Sequence, residues 1–248
     1  MIKNGQIKKQ IKMAFIAALI CISAWVLVGS AEKKVKPTQP EIQPTPTAQV
    51  QEETEQNPID FELLQGENPD IYAWITIPDM EIDFPVLQHP ADDSYYLTHT
   101  ELLEKKVRGA IYTERENGKD FTQRNTVIYG HNMDNPKGGM FTALRNYRQA
   151  DFFDSHRDIT IYTPNEILHY KVFAAYETDN RHILFYNDFT TDEGMGKYLA
   201  GVYAAAEKDG NVAKDVLVGA TDKIITLSTC KSVKESDRRY LVQAVLIE

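Results

Sequence analysis

Cysteine is scarce: two occur in 248 residues. That excludes a disulfide-dense scaffold, and also a zinc site built from cysteine alone, which needs about four thiolates. Positive charge is in deficit, with 27 Lys and Arg against 36 Asp and Glu and a formal net charge of −9. Such a chain lacks the basic excess that nonspecific nucleic-acid binding uses to release counterions, so no nucleic-acid partner is expected. Eleven prolines and 13 glycines are too few for a collagen-like or wholly disordered protein. There is no internal repeat, and no composition break divides the region after residue 58. What is left is ordinary globular composition, enough for one medium domain or two small ones.

The charge is unevenly distributed. Residues 1–12 contain Lys3, Lys8, Lys9 and Lys12 and no acid, so they form a basic head. From Met13 to Gly29 the sequence MAFIAALICISAWVLVG is uncharged. That is close to the ~18–20 apolar residues a spanning helix needs. The positive-inside rule keeps the lysines cytoplasmic and places the acidic remainder outside. Two readings compete: an uncleaved signal anchor over 13–30, and a cleaved signal peptide processed near Gly29-Ser30-Ala31. The apolar run exceeds the ~7–15 residues of a usual signal core, which favours the single-pass anchor. Cys21 follows Ile20, where a lipoprotein signal needs a small residue, and reads as lipid-facing. Residues 31–58 are rich in Pro, Thr, Gln and Glu with few large apolar side chains. They cannot bury enough surface to offset ordering entropy and read as an extended tether.

Folding signals begin at residue 59 and run to 248. IDFELLQ predicts a short helix capped by Asp60. Strand-like runs follow at 73–77, 82–87, 108–113, 125–131, 159–163, 167–178, 223–229 and 239–247, separated by turn residues such as Pro78-Asp79 and Pro164-Asn165. MFTALRNY (140–147) and TDEGMGKYLAGVYAAAEKDG (191–210) predict helices, the second with Met195, Leu199, Val202 and Ala206 on one face and Gly210 as its stop. Eight strands with few helices predict a mainly β domain, a closed or nearly closed barrel.

Beyond the apolar run a single thiol remains, Cys230. An unpaired extracellular cysteine is an incidental buried thiol, a partner in an intermolecular bond, or a nucleophile. Cys230 ends the strand KIITLST, and the strand RYLVQAVLI after the short loop KSVKESD is opened by Arg238-Arg239. If the two strands pair, the cysteine and the arginines meet at one end of the sheet. Thiol chemistry also needs a proton partner. Among six histidines, His131 ends an apolar strand and enters the polar loop NMDNPKGG. His89, His99, His156 and His182 read as solvated surface, and His169 as an exposed or core-edge strand residue.

Thr226-Leu227-Ser228-Thr229-Cys230 resembles the Thr-Leu-x-Thr-Cys signature of sortases, the membrane-anchored cysteine transpeptidases of Gram-positive bacteria. Tyr129-Gly130-His131-Asn132-Met133 is similar to the family's histidine motif, and the Arg239 strand lies at the family distance downstream. WITIPDMEIDFPVLQ, DDSYYL, RGAIY, NTVIYGHNM and GGMFTALRNY resemble class B sortases in sequence and order, and the helix at 191–210 resembles the one class B members carry before the cysteine strand. The resemblance implies an eight-stranded sortase-like barrel over 59–248, with Cys230 as nucleophile, His131 as proton partner and Arg239 as oxyanion donor. Strand alternation sends Arg238 to the opposite face. The resemblance further implies that Leu97, Ser228 and Thr229 line the peptide groove. It implies a thioester formed after the threonine of an Asn/Ser/Pro-Pro-x-Thr signal, in a surface protein that is then passed to a peptidoglycan amine or a pilin lysine. It brings no metal or cofactor, and the DNPKGG segment lacks EF-hand-like spacing. Asp93 departs from the pattern, standing where class B members often have Asn. A secreted cysteine peptidase that only hydrolyses, and a non-catalytic wall-binding domain on a stalk, are the competing functions.

Overall fold

The computed structural model describes residues 55–78, 80–133, 139–230 and 237–247. The chain divides between Pro58 and Ile59 into two units. The basic head, the apolar run and all but the last residues of the tether lie outside the described residues, as do most of the loops after His131 and Cys230. Among the described residues, no helix is long and apolar enough to cross a membrane.

The second unit opens with helix α1 (Phe61–Glu67), where Asp60 accepts a hydrogen bond from the Leu63 amide and satisfies one of the first-turn donors. Nine strands follow among the described residues: β1 (Ile71–Ile77), β2 (Ile82–Leu87), β3 (Ile111–Tyr112), β4 (Asn125–Tyr129), β5 (Asp158–Tyr162), β6 (Ile167–Asp179), β7 (Gly210–Val212), β8 (Ile224–Cys230) and β9 (Arg238–Leu246). Eight of them close into a barrel in the order β5-β1-β2-β3-β4-β8-β9-β6, with β6 returning to β5. Closure leaves those strands no open edge to template aggregation. The ninth, β7, is a short strand paired with β6 alone, at Ala174–Tyr176. The predicted barrel is therefore present, with one strand beyond the eight expected. It was hidden because the sequence marks Gly210 only as a helix stop.

The remaining helices are α2 (Ala150–Ser155), α3 (Ile183–Tyr186) and α4 (Asp192–Asp209). The run predicted as helix at 140–147 forms a tighter 3-10 helix at Thr142–Arg148. Helix α4 is capped by Thr191, whose hydroxyl accepts from the Gly194 amide, and buries Met195, Tyr198, Leu199, Val202 and Ala206. Its Tyr198 hydroxyl accepts a 2.7 Å hydrogen bond from Gln243 of β9. That bond identifies the face of β9 on which α4 lies. By alternation this outer face carries Arg239, Leu241 and Gln243, together with their register partners Cys230, Ser228 and Thr226 on β8. The opposite face lines the barrel interior, where Ile128, Ile225, Leu227, Val242 and Ala244 are fully buried.

Candidate active site

Two strand pairings assemble the site. Strand β9 runs antiparallel to β8, and Cys230 sits directly opposite Arg239. Strand β4 runs parallel to β8, with Tyr129 beside Ser228 as the last register pair. One further bond, from the Gly130 amide to the Ser228 carbonyl at 3.1 Å, carries the ladder past that pair. His131 therefore leaves β4 on the row that Cys230 occupies on β8, and its ring turns to Leu97. Gly130 is required by close packing, since a Cβ there would fall 2.5 Å from Ile111 Cδ1 and 2.7 Å from the Phe141 ring.

Cys230 is half-buried and is a free thiol. Its Sγ accepts a hydrogen bond from Arg239 Nη1 at 3.6 Å. Arg238 points the other way, exposed, with its guanidinium 4.0 Å from Glu177. The structure thus brings Arg239, not its neighbour, to the sulfur. The His131 ring donates from Nε2 to the Leu97 carbonyl at 2.8 Å. A carbonyl oxygen only accepts, so in the neutral ring Nδ1 is the basic nitrogen. Asn132, which the sequence reading passed over, is buried and its Nδ2 donates to the Cys230 carbonyl at 3.2 Å. It ties the two strands together beyond the last backbone bond. Its position beside His131 in the motif was the available signal.

The three residues expected in a peptide groove are placed differently from one another. Leu97 lies on a 3-10 turn (Tyr95–Leu97) and is 39% exposed. Ser228 shares the outer face with Cys230 but is buried. Thr229 alternates to the inner face and is buried as well, so only its backbone reaches the outer side.

Beside the thiol end of the sheet, a cavity of about 500 Å³ is lined by Asp93, Glu114, Arg115, Glu116, His182 and Phe185. The Tyr112 phenol, stacked on Tyr129, lies close enough to Glu114, Arg239, Cys230 and Asp93 to feel the charge of each. Burial is the main cause of its raised pKa, and Glu114 adds to it. Asp93 is engaged rather than free. It accepts from the Arg115 amide, Nε and Nη2 at 2.8, 3.1 and 2.9 Å, and the Arg115 side chain holds its carboxyl below the usual carboxylate range. His182 corrects its reading as solvated surface: it is half-buried, meets Glu114 at 2.5 Å and stacks on Phe185. Its partner lies 68 positions away in the chain, beyond the reach of local pattern. Among the described residues, no group of three or more His, Cys, Asp or Glu side chains could hold a metal ion.

Comparison with known proteins agrees with this geometry. A sortase-domain family model matches residues 75–247. Sortase B of Listeria monocytogenes is 36% identical over 185 residues, covering 74% of this chain and 72% of that protein. Sortase B of Staphylococcus aureus is 30% identical over 190 residues, covering 76% and 75%. A Staphylococcus aureus sortase B–substrate complex superposes with a TM-score of 0.67 at 28% identity, covering 76% of this chain and 84% of that one. A free thiol facing a guanidinium, at the end of a strand that closes on Thr-Leu-Ser-Thr-Cys, thus sits in a barrel and a sequence shared with these enzymes, and the chain belongs to the sortase family, on its class B branch, as a cysteine transpeptidase.

Proposed function

We propose that this enzyme cleaves a sorting signal of the Asn/Ser/Pro-Pro-x-Thr type after its threonine and transfers the freed carboxyl to a cell-wall amine. In the first half-reaction the Cys230 thiolate attacks the threonine carbonyl carbon. The carbonyl oxygen gathers negative charge beside Arg239, whose guanidinium stays protonated and offers fixed donors. His131 gives a proton to the departing amine, the C–N bond breaks, and a thioester remains on Cys230. In the second, an amine attacks the thioester, His131 takes its proton, and Cys230 leaves as thiolate while a new amide forms. The acceptor on this reading is a peptidoglycan cross-bridge or stem-peptide amine, or a pilin lysine.

The observation that carries the reading is the direct register pairing of Cys230 with Arg239, with guanidinium and sulfur 3.6 Å apart. The uncharged run at 13–30 behind four lysines supports a single-pass anchor that holds the catalytic domain outside the membrane, with the Pro/Thr-rich segment as spacer. Leu97 and Ser228, on the outer side of the barrel with the thiol, are the favoured peptide contacts.

The test is a peptide-library cleavage assay on the full chain in detergent micelles, read by mass spectrometry with and without oligoglycine and diaminopimelate-containing amines. Cleavage after threonine with amide product in the presence of amine is expected, and none from Cys230→Ala. Cleavage that never partitions toward any amine would leave a hydrolytic peptidase. Activity retained by Cys230→Ala would remove the mechanism.

A further inference from the structure

The histidine of this site is held through a main-chain oxygen, and that oxygen is held by an absent side chain. We infer that Gly109 is a positioning residue for His131: its missing Cβ lets the Tyr95–Leu97 turn seat where the Leu97 carbonyl takes the His131 Nε2 proton, fixing the ring as the Nε2–H tautomer. The catalytic meaning of this rests on the proposed function, while the tautomer itself does not.

Several contacts build the arrangement. The Leu97 carbonyl lies 2.8 Å from His131 Nε2. An imidazole turned to its other tautomer would set a lone pair against that oxygen, so the carbonyl selects Nε2–H and leaves Nδ1 to carry the transferred proton. The turn is anchored from both sides. The Leu97 amide donates to the Ser94 carbonyl at 3.0 Å, and the Ala110 amide donates to the Tyr96 carbonyl at 2.9 Å. The Tyr96 ring is 1% exposed, and its hydroxyl donates to Asp70 at 2.7 Å while accepting from Asn68 at 3.1 Å. Gly109 packs directly beneath, at φ +57°, a left-handed conformation that suits glycine. A Cβ added there would fall on the Tyr96 carbonyl oxygen and come within 2.8 Å of the Leu97 oxygen and 3.0 Å of its carbon. These are backbone atoms of the turn that carries the histidine's acceptor, so the turn itself must shift. The Leu97 side chain takes no part in this, because the oxygen is common to every residue at position 97.

The experiment uses the full chain, ¹⁵N-labelled at histidine, in detergent micelles, with long-range proton–nitrogen correlation spectra. His131 signals are assigned by their loss in His131→Gln. The wild type shows the Nε2–H tautomer. Gly109→Ala mixes the two tautomers, because the displaced carbonyl no longer selects the Nε2–H ring. It also slows thioester formation about tenfold with little change in peptide KM. Leu97→Ala keeps the tautomer and moves KM instead. Tyr96→Phe loosens the anchor without filling the space and shifts the ring in the same direction by less, which decides the matter if Gly109→Ala does not fold. An Nδ1–H ring in the wild type overturns the inference. So does a folded Gly109→Ala, or failing that a folded Tyr96→Phe, with the tautomer unmoved. A wild type that cleaves no peptide would count against the proposed function instead, and the spectra would still decide this point.

Discussion

The floor of the site and the collar around it are held by different forces. The floor is β4, β8 and β9. There, Cys230 and Arg239 are fixed by unbroken ladders, and His131 follows from the register of Tyr129 with Ser228. The collar is three connections: 88–110 between β2 and β3, 113–124 between β3 and β4, and 180–191 after β6. It is closed by side-chain pairs: Glu101–Arg108, Asp93–Arg115, Glu114–His182 and Arg124–Asp192. Backbone ladders tie every residue of a strand to its neighbours, whereas partly exposed ion pairs contribute about 0–1 kcal/mol each. Cys230 and Arg239 are thus built on the part that cannot drift, while the collar adjusts at low cost except at the Tyr95–Leu97 turn, which reaches in to hold the His131 ring.

The largest effect lies on the floor. Arg239→Ala should lower kcat/KM about 10²–10³-fold, the usual loss on removing an oxyanion donor. Arg239→Lys recovers part of it, since an ammonium supplies charge without the planar fork. Thermal unfolding should barely change, because Arg239 is a half-buried strand end rather than core. Steady-state cleavage of a sorting peptide checks this, and a loss under tenfold for the alanine variant would place oxyanion stabilisation elsewhere.

Asn132→Ala is next. It removes the bond from Nδ2 to the Cys230 carbonyl, at a cost of about 1 kcal/mol in stability for a lost buried hydrogen bond. It also frees the end of β8, so the rate of Cys230 alkylation by iodoacetamide should change several-fold with no change at the arginine. An unchanged alkylation rate in a folded variant would show that the backbone ladder alone suffices.

The same division explains what the sequence could disclose. Floor residues announce themselves because a strand is a local pattern: KIITLSTC and RRYLVQAVLI are long, mostly apolar runs separated by a short loop, so their pairing follows from chain order. Helix α4 is equally local, with its cap at Thr191 and its apolar face at helical spacing. The collar is non-local. Glu114 and His182 look like two surface residues until a folded barrel brings their loops together, and nothing at 93 or 115 foretells that Arg115 occupies the carboxylate of Asp93. RGAIYT shows the limit within a strand: only Ile111–Tyr112 pair, because Gly109 has left the extended region to pass under the Tyr95–Leu97 turn. Thr229 shows another limit, since a signature residue next to Cys230 faces the barrel interior.

In the collar, His182→Ala or Glu114→Gln should leave kcat unchanged and raise peptide KM no more than about fivefold, the equivalent of about 1 kcal/mol. The wild-type KM should depend on salt more than the variants do, because a partly exposed pair is screened. Asp93→Asn should alter KM less than twofold at neutral pH, since Arg115 already offsets that charge. A large kcat effect from any of these would break the division of labour between floor and collar.

The smallest effect is an acid one, and it separates the collar from the opposite side of the barrel. Asp188, in the collar just before α4, accepts from the hydroxyls of Thr190 and Thr191, which lower its pKa to about 2. Asp215, away from the collar, is lowered to about 2 by its hydrogen bonds to Arg157. A carboxyl whose pKa is lower folded than unfolded stabilises the fold above the unfolded value, about 3.9, and loses that contribution as pH falls toward the folded value. Both contributions should therefore be whole at pH 5 and be lost progressively as pH falls from about 4 through about 2. Thermal midpoints of Asp188→Asn and Asp215→Asn should lie slightly below wild type at pH 5 and converge on it between pH 4 and 2. Peptide binding by Cys230→Ala should weaken over the same window in wild-type loops and stay flat in Asp188→Asn. If binding instead follows Asp215, the collar and the far side of the barrel respond as one body, and the contrast between rigid floor and adjustable rim fails.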